Sequence, residues 1–141
     1  RAWAAGPTAV ALSAGAVYRD TRLTPAAADS AVAGGRWGLK LQGEARTSGP
    51  AWAGEAIASY TVGTAGYWGR LRAFRRRGDH HWPGGELVVQ GDLEYRAVQV
   101  GGVWGRLPAG RDAHFNLKAG LRQDAGQGGS AYAGVEWVWL P

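Results

Sequence analysis

The residues most able to do chemistry lie together at Arg75-Arg76-Arg77-Gly78-Asp79-His80-His81-Trp82. Three guanidiniums beside two imidazoles and an indole can grip an acidic partner, lipid headgroups or a sugar, with Arg75, Arg76, Arg77, His80, His81 and Trp82 as the contacts. A solvated hairpin turn accounts for the same residues. His80 and His81 are consecutive, so on a strand they point to opposite faces; a metal site would need Asp79 or Glu86 as well, and is expected to be incidental. Catalytic sets are scarce elsewhere. Ser13, Ser30, Ser48, Ser59 and Ser130 lack a nucleophile elbow. Asp92 and Glu94 share one strand face, where carboxylates act as ion-pair partners more often than as a glycosidase pair. Gly126 to Gly129 reads as a turn, since no helix follows it as a phosphate loop requires. With no cysteine there is neither a disulfide framework nor a thiolate metal site. The expectation is a chain with no catalytic residue, cofactor or bound metal.

The elements that position these side chains are strands. From Trp37 to Arg46 the sequence alternates with a period of two: Trp37, Leu39, Leu41, Gly43 and Ala45 on one side, Lys40, Gln42, Glu44 and Arg46 on the other. Such a ribbon meets two different solvents. The pattern recurs: Phe115, Leu117, Ala119 and Leu121 oppose His114, Asn116, Lys118 and Arg122, and Leu87 and Val89 oppose Glu86, Gln90 and Asp92. Trp52, Ala56, Ala58 and Tyr60 oppose Glu55, Ser59 and Thr61, with Ile57 breaking the pattern.

Eight strand-like segments, at about 8–19, 35–47, 51–62, 66–76, 85–92, 94–106, 113–123 and 130–140, are separated by Gly, Pro, Ser and Asp turns. The alanine-rich Pro25 to Gly34 reads as the longest loop. One domain of 141 residues follows, all-β, with the fold class of an antiparallel up-and-down β-barrel of about eight strands. No run reaches the roughly 18 apolar residues of a membrane helix, and a barrel needs none. About eleven tilted residues per strand cover roughly 25 Å, the height of an outer-membrane barrel's apolar band. Trp37, Trp52, Tyr60, Tyr67, Trp137 and Trp139, near segment ends, suit interfacial girdles. The chain has no Met and begins at Arg1, which fits a processed product or a fragment; missing N-terminal strands would permit ten strands.

Inside such a barrel the charges pair across strands. Lys40, Glu44 and Arg46 are expected near Glu55, and Arg70 and Arg72 near Glu55 and Glu86. Asp92 and Glu94 are expected near Arg96, and Lys118 and Arg122 near Glu136. An eight-stranded interior is filled by its own side chains, so the barrel acts as an anchor or accessory rather than an export pore. The net charge of +5 is carried by fourteen Arg and two Lys spread among carboxylates, which argues against nucleic acid as a partner.

The stretch Gly35-Arg36-Trp37-Gly38-Leu39-Lys40-Leu41-Gln42 resembles the BcsS-type cellulose-biosynthesis proteins of bacteria. So do Ala58-Ser59-Tyr60, Tyr67-Trp68-Gly69-Arg70-Leu71-Arg72, Gly85-Glu86-Leu87-Val88-Val89-Gln90-Gly91 with Tyr95 and Arg96, and Gly120-Leu121-Arg122-Gln123-Asp124. The resemblance implies a secreted, outer-membrane β-barrel associated with cellulose or a related exopolysaccharide, with no catalytic residues to carry over. Three readings stand at this point. One is an outer-membrane accessory barrel, whose partners are membrane lipid and polysaccharide. Another is a structural subunit docked on a larger complex of envelope proteins. The last is a soluble ligand-binding barrel of the lipocalin or streptavidin kind, which needs Leu39, Leu41, Leu117 and Leu121 to point inward.

Overall fold

The computed structural model describes residues 1–21, 34–78 and 81–139. Within them the chain forms one antiparallel sheet whose spatial order is its sequence order. The strands are β1 (Ala2–Ala5), β2 (Thr8–Thr21), β3 (Gly34–Ser48), β4 (Trp52–Val62), β5 (Gly66–Arg75), β6 (Trp82–Gly91), β7 (Arg96–Pro108), β8 (Ala113–Asp124) and β9 (Gly128–Trp139). All eight segments read from alternation are present as β2 to β9. The count of eight is corrected to nine by β1, which a two-residue turn at Gly6-Pro7 joins to β2. Gly6 has φ 58°, the left-handed conformation that the first position of such a tight hairpin turn demands and that glycine adopts without strain. Four residues are too few for alternation to announce β1 in the sequence. Among the described residues β1 and β9 are the two edges of the sheet. Most of the expected loop, Pro25 to Ala33, lies outside the described residues, as do Asp79 and His80.

The register sorts the side chains into two faces. Leu41 stands opposite Tyr60 and Tyr60 opposite Tyr67; Leu71 faces Leu87, Leu87 faces Val100, and Val100 faces Leu121. Directly opposed residues share a face, so one side of the sheet is an apolar surface running from Leu12 on β2 to Val135 on β9. On the other side Arg46, Glu55, Arg72 and Glu86 form one continuous row.

The polar side is concave. Four strand spacings separate β5 from β9, about 19 Å in a flat sheet. Yet the Glu136 carboxylate on β9 lies 3.0 Å from Arg70 and 2.5 Å from Arg72 on β5. The sheet curls to bring them together. At one end of the curl Ala53, Phe74, Trp82 and Val103 form a small apolar core. At mid-height Gly101 keeps the wall thin, because a Cβ there would meet the Tyr132 hydroxyl and the Ala119 carbonyl.

Candidate functional site

The densest chemistry lies on the concave face, where Arg70 and Arg72 leave β5 two residues apart and so point the same way. Arg72 is almost fully buried, with its side chain 2% exposed, and its partner Glu86 on β6 is 0% exposed. Arg72 Nε donates to Glu86 Oε2 at 2.6 Å and Nη1 donates to Glu136 Oε2 at 2.5 Å. Arg70 Nη1 donates to Glu136 Oε1 at 3.0 Å, and its Nη2 lies 3.6 Å from Glu55. Asn116 Nδ2 adds a hydrogen bond to Glu136 Oε2 at 2.9 Å, and Lys118 Nζ stands 4.0 Å from Glu86. Tyr132, lying over Gly101, extends its hydroxyl to 3.5 Å from Glu86 Oε1. Each buried carboxylate therefore meets a cation, the condition under which ions are tolerated out of water. Glu55, Glu86 and Glu136 are held by guanidiniums, so none is placed as a free general base.

Beside this network a cavity of about 510 Å³ opens toward the Arg75–Trp82 end, lined by Arg46, Glu55, Arg70, Arg106, His114 and Glu136 among others. Its wall carries a β-bulge. Trp104 pairs with Leu117 and Leu107 with Phe115, leaving Gly105 and Arg106 opposite Asn116 alone. Arg106 has φ 58°, and its backbone N–H donates to Asn116 Oδ1 at 2.8 Å. Its guanidinium lies over the Trp82 ring, 4.5 Å from the centroid. Sequence reasoning missed this site. The available signal was the apolar spacing of three, Trp104 to Leu107, where strict alternation requires two.

The Arg75–Trp82 tip divides. Arg75 is on the apolar face with its guanidinium 5.7 Å from the Trp52 ring. Arg76 donates through Nε to the Gly78 carbonyl, and Arg77 bridges to His81, whose ring meets Trp104 edge-on at 5.9 Å. His80 lies outside the described residues. Trp82 is corrected: it faces the concave side and is 6% exposed, so it is a core residue and not a surface contact.

The expected ion pairs also divide. Arg46 is the register partner of Glu55, but its guanidinium lies 3.7 Å from Glu44. Lys40 is exposed and pairs in register with Thr61, six residues along β4 from Glu55, which puts it about 20 Å away. Arg96 is corrected outright. It opposes Gly91, which opposes Tyr67, and this places it on the apolar face and not in the interior. Asp92 caps its own turn, accepting the N–H groups of Glu94 and Tyr95. Lys118 reaches Glu86, and Arg122 stays far from Glu136, six residues along β9 from its own partner Ser130. Arg122 instead grips Asp124 at 2.9 Å and contacts the Tyr95 hydroxyl, which donates to Asp124 at 2.8 Å. Neither Tyr95 nor Asp124 was expected there, because the turn that swings Tyr95 across carries no periodic signal.

Among the described residues no group of three His, Cys, Asp or Glu side chains is placed to hold a metal ion. Residues 2–140 match the family model described as cellulose biosynthesis protein BcsS. No curated protein and no solved structure matches the chain.

Proposed function

The chain belongs to the cellulose biosynthesis protein BcsS family, which gives it a role in cellulose production; we propose that it fills that role as a non-catalytic accessory β-barrel spanning the outer membrane. The observation that carries this reading is the convex face. Leu12, Leu39, Leu41, Tyr60, Leu71, Leu87, Val100, Leu117, Leu121 and Val135 are each 40% or more exposed there, over eight adjoining strands. Soluble monomers rarely expose apolar patches beyond a few hundred Å², and larger ones mark membranes or partners. Trp37, Trp52, Trp137 and Trp139 stand exposed toward strand ends, where amphipathic rings suit the two interfaces.

A lipid environment also requires closure, because unpaired edge amides in hydrocarbon cost several kcal/mol each. Edges β1 and β9 run in the same direction, since an even number of antiparallel steps separates them. β9 runs antiparallel to β2, and β1 covers only Thr8 to Ala11 of that strand. Pairing of β9 with the rest of β2 gives the eight-stranded antiparallel barrel, in keeping with the even strand numbers of such barrels.

A calyx of the lipocalin kind needs an apolar lining. Leu39, Leu41, Leu117 and Leu121 instead lie on the face opposite the ion pairs, 43–66% exposed. The β9 edge, unpaired among the described residues, favours a second reading, a subunit docked on a larger envelope complex through that strand. Membrane fractionation tests the first reading: the native protein should resist carbonate and high salt and leave the membrane only in detergent. Release by carbonate sinks it. Stable co-purification with one partner protein in mild detergent would shift the balance to the docked subunit.

A further inference from the structure

We propose that the cavity at the Arg75–Trp82 end is an anion-binding site for a phosphate or phosphate-ester group, with Arg106 and Arg46 as its gripping residues. The first ground is the backbone of Arg106. A non-glycine residue in the left-handed region is strained, and such strain persists where the surroundings over-determine it. Here the bulge and the bond from Arg106 N–H to Asn116 impose it, and Asn116 is itself anchored on Glu136. The outcome is a guanidinium held over the ring of buried Trp82 in the cavity wall, with no carboxylate partner among the described residues. Held over that ring, the guanidinium is in place before any ligand arrives.

Charge is the second ground. Four arginines, Arg46, Arg70, Arg72 and Arg106, line the cavity against two carboxylates, Glu55 and Glu136. Both carboxylates are already engaged by Arg70 and Arg72. Arg46 keeps only a 3.7 Å contact to Glu44, with its side chain 64% exposed. His114 lines the same space. A neutral sugar needs acceptors as well as donors from a wall, and the carboxylate acceptors here are taken. A tetrahedral oxyanion needs donors in forks, which the arginines supply. The volume of about 510 Å³ falls within the range of small-molecule sites.

The test is calorimetric titration of the full chain in maltoside detergent with inorganic phosphate and, separately, with short-chain phosphatidylglycerol. Saturable phosphate binding is expected, weakened tenfold or more by Arg106→Gln and several-fold by Arg46→Gln, with Glu44→Gln equal to or tighter than the parent. Arg106→Gln keeps the backbone N–H that Asn116 receives, so its sheet signal in circular dichroism should be unchanged; Arg46→Gln, on an exposed side chain, is the second probe. Phosphatidylglycerol binding more tightly than phosphate identifies a lipid headgroup as the source, and equal or weaker binding identifies a soluble phosphate; both support the site. No saturable binding of either probe, or parental affinity in both arginine variants, overturns it.

Discussion

Along β3, Lys40, Gln42, Glu44 and Arg46 leave the same concave face that carries Arg72 on β5 and Lys118 on β8, yet the two regions differ. Around β5 to β9 the charges are buried and interlocked, with Arg72 2% and Glu86 0% exposed. Along β3, Lys40 and Arg46 stay exposed, and Arg46 keeps a single loose contact at 3.7 Å. The alternation is equally regular in both. What differs is the partner offered across the concave space: β9 curls over β5 and brings Glu136 onto Arg70 and Arg72, whereas β3 borders the open cavity and Arg46 contacts Glu44 of its own strand. Alternation therefore fixes which face a charge occupies, and curvature decides whether it is buried.

Two substitutions test that contrast. Removing Glu86 strands the buried Arg72 guanidinium, so Glu86→Ala should cost about 3–5 kcal/mol, the penalty of leaving an uncompensated buried charge. Glu44→Ala on β3 loses a loose contact to exposed Arg46 and one hydrogen bond from Gln42, and should cost about 1 kcal/mol or less. Reversible denaturant unfolding in detergent micelles measures both, and equal losses would erase the distinction between the regions.

On the convex face no such contrast is expected, because β3 and β6 present leucines equally. In bilayers Leu87→Arg, near mid-strand, should lose about 2–4 kcal/mol, the cost of an arginine at the midplane of a membrane barrel. A loss below 1 kcal/mol in lipid vesicles would remove the membrane from the account.

Two glycines should respond with opposite signs. Gly101→Ala pushes a methyl against the Tyr132 hydroxyl and the Ala119 carbonyl, and should cost about 1–3 kcal/mol. Gly15→Ala on β2 meets nothing within 4 Å and should gain about 0.5 kcal/mol by restricting the unfolded chain. Thermal midpoints of the two variants, compared side by side, check the opposite signs.

How much of this was legible in the residues depends on range. The faces of Leu39 and Lys40, or of Leu117 and Lys118, follow from a period of two, and the structure keeps them. Pairing partners did not follow. Alternation turns both Arg122 and Glu136 inward, but the register of β8 on β9 sets them far apart and hands Arg122 to Asp124. A strand begun at Glu94 carries Arg96 inward with the charges, but Asp92 to Tyr95 is a turn and Arg96 shares the outward face of Val98 and Val100 on β7. Trp82 carries the same lesson, since its position in a basic turn suggested exposure while the β6 register turns it into the core. The Arg106 site depends on a bulge, and a bulge marks itself only as one broken step in the pattern.

The most direct measurement uses the absence of cysteine. Single nitroxide labels at Leu71, Leu87 and Leu121 in lipid vesicles report contact with oxygen, which concentrates in acyl chains, and with a water-soluble nickel complex. High oxygen and low nickel accessibility at all three is the expected result. Nickel accessibility matching that of a label at Arg76 would show these leucines bathed in water and contradict the membrane-spanning account.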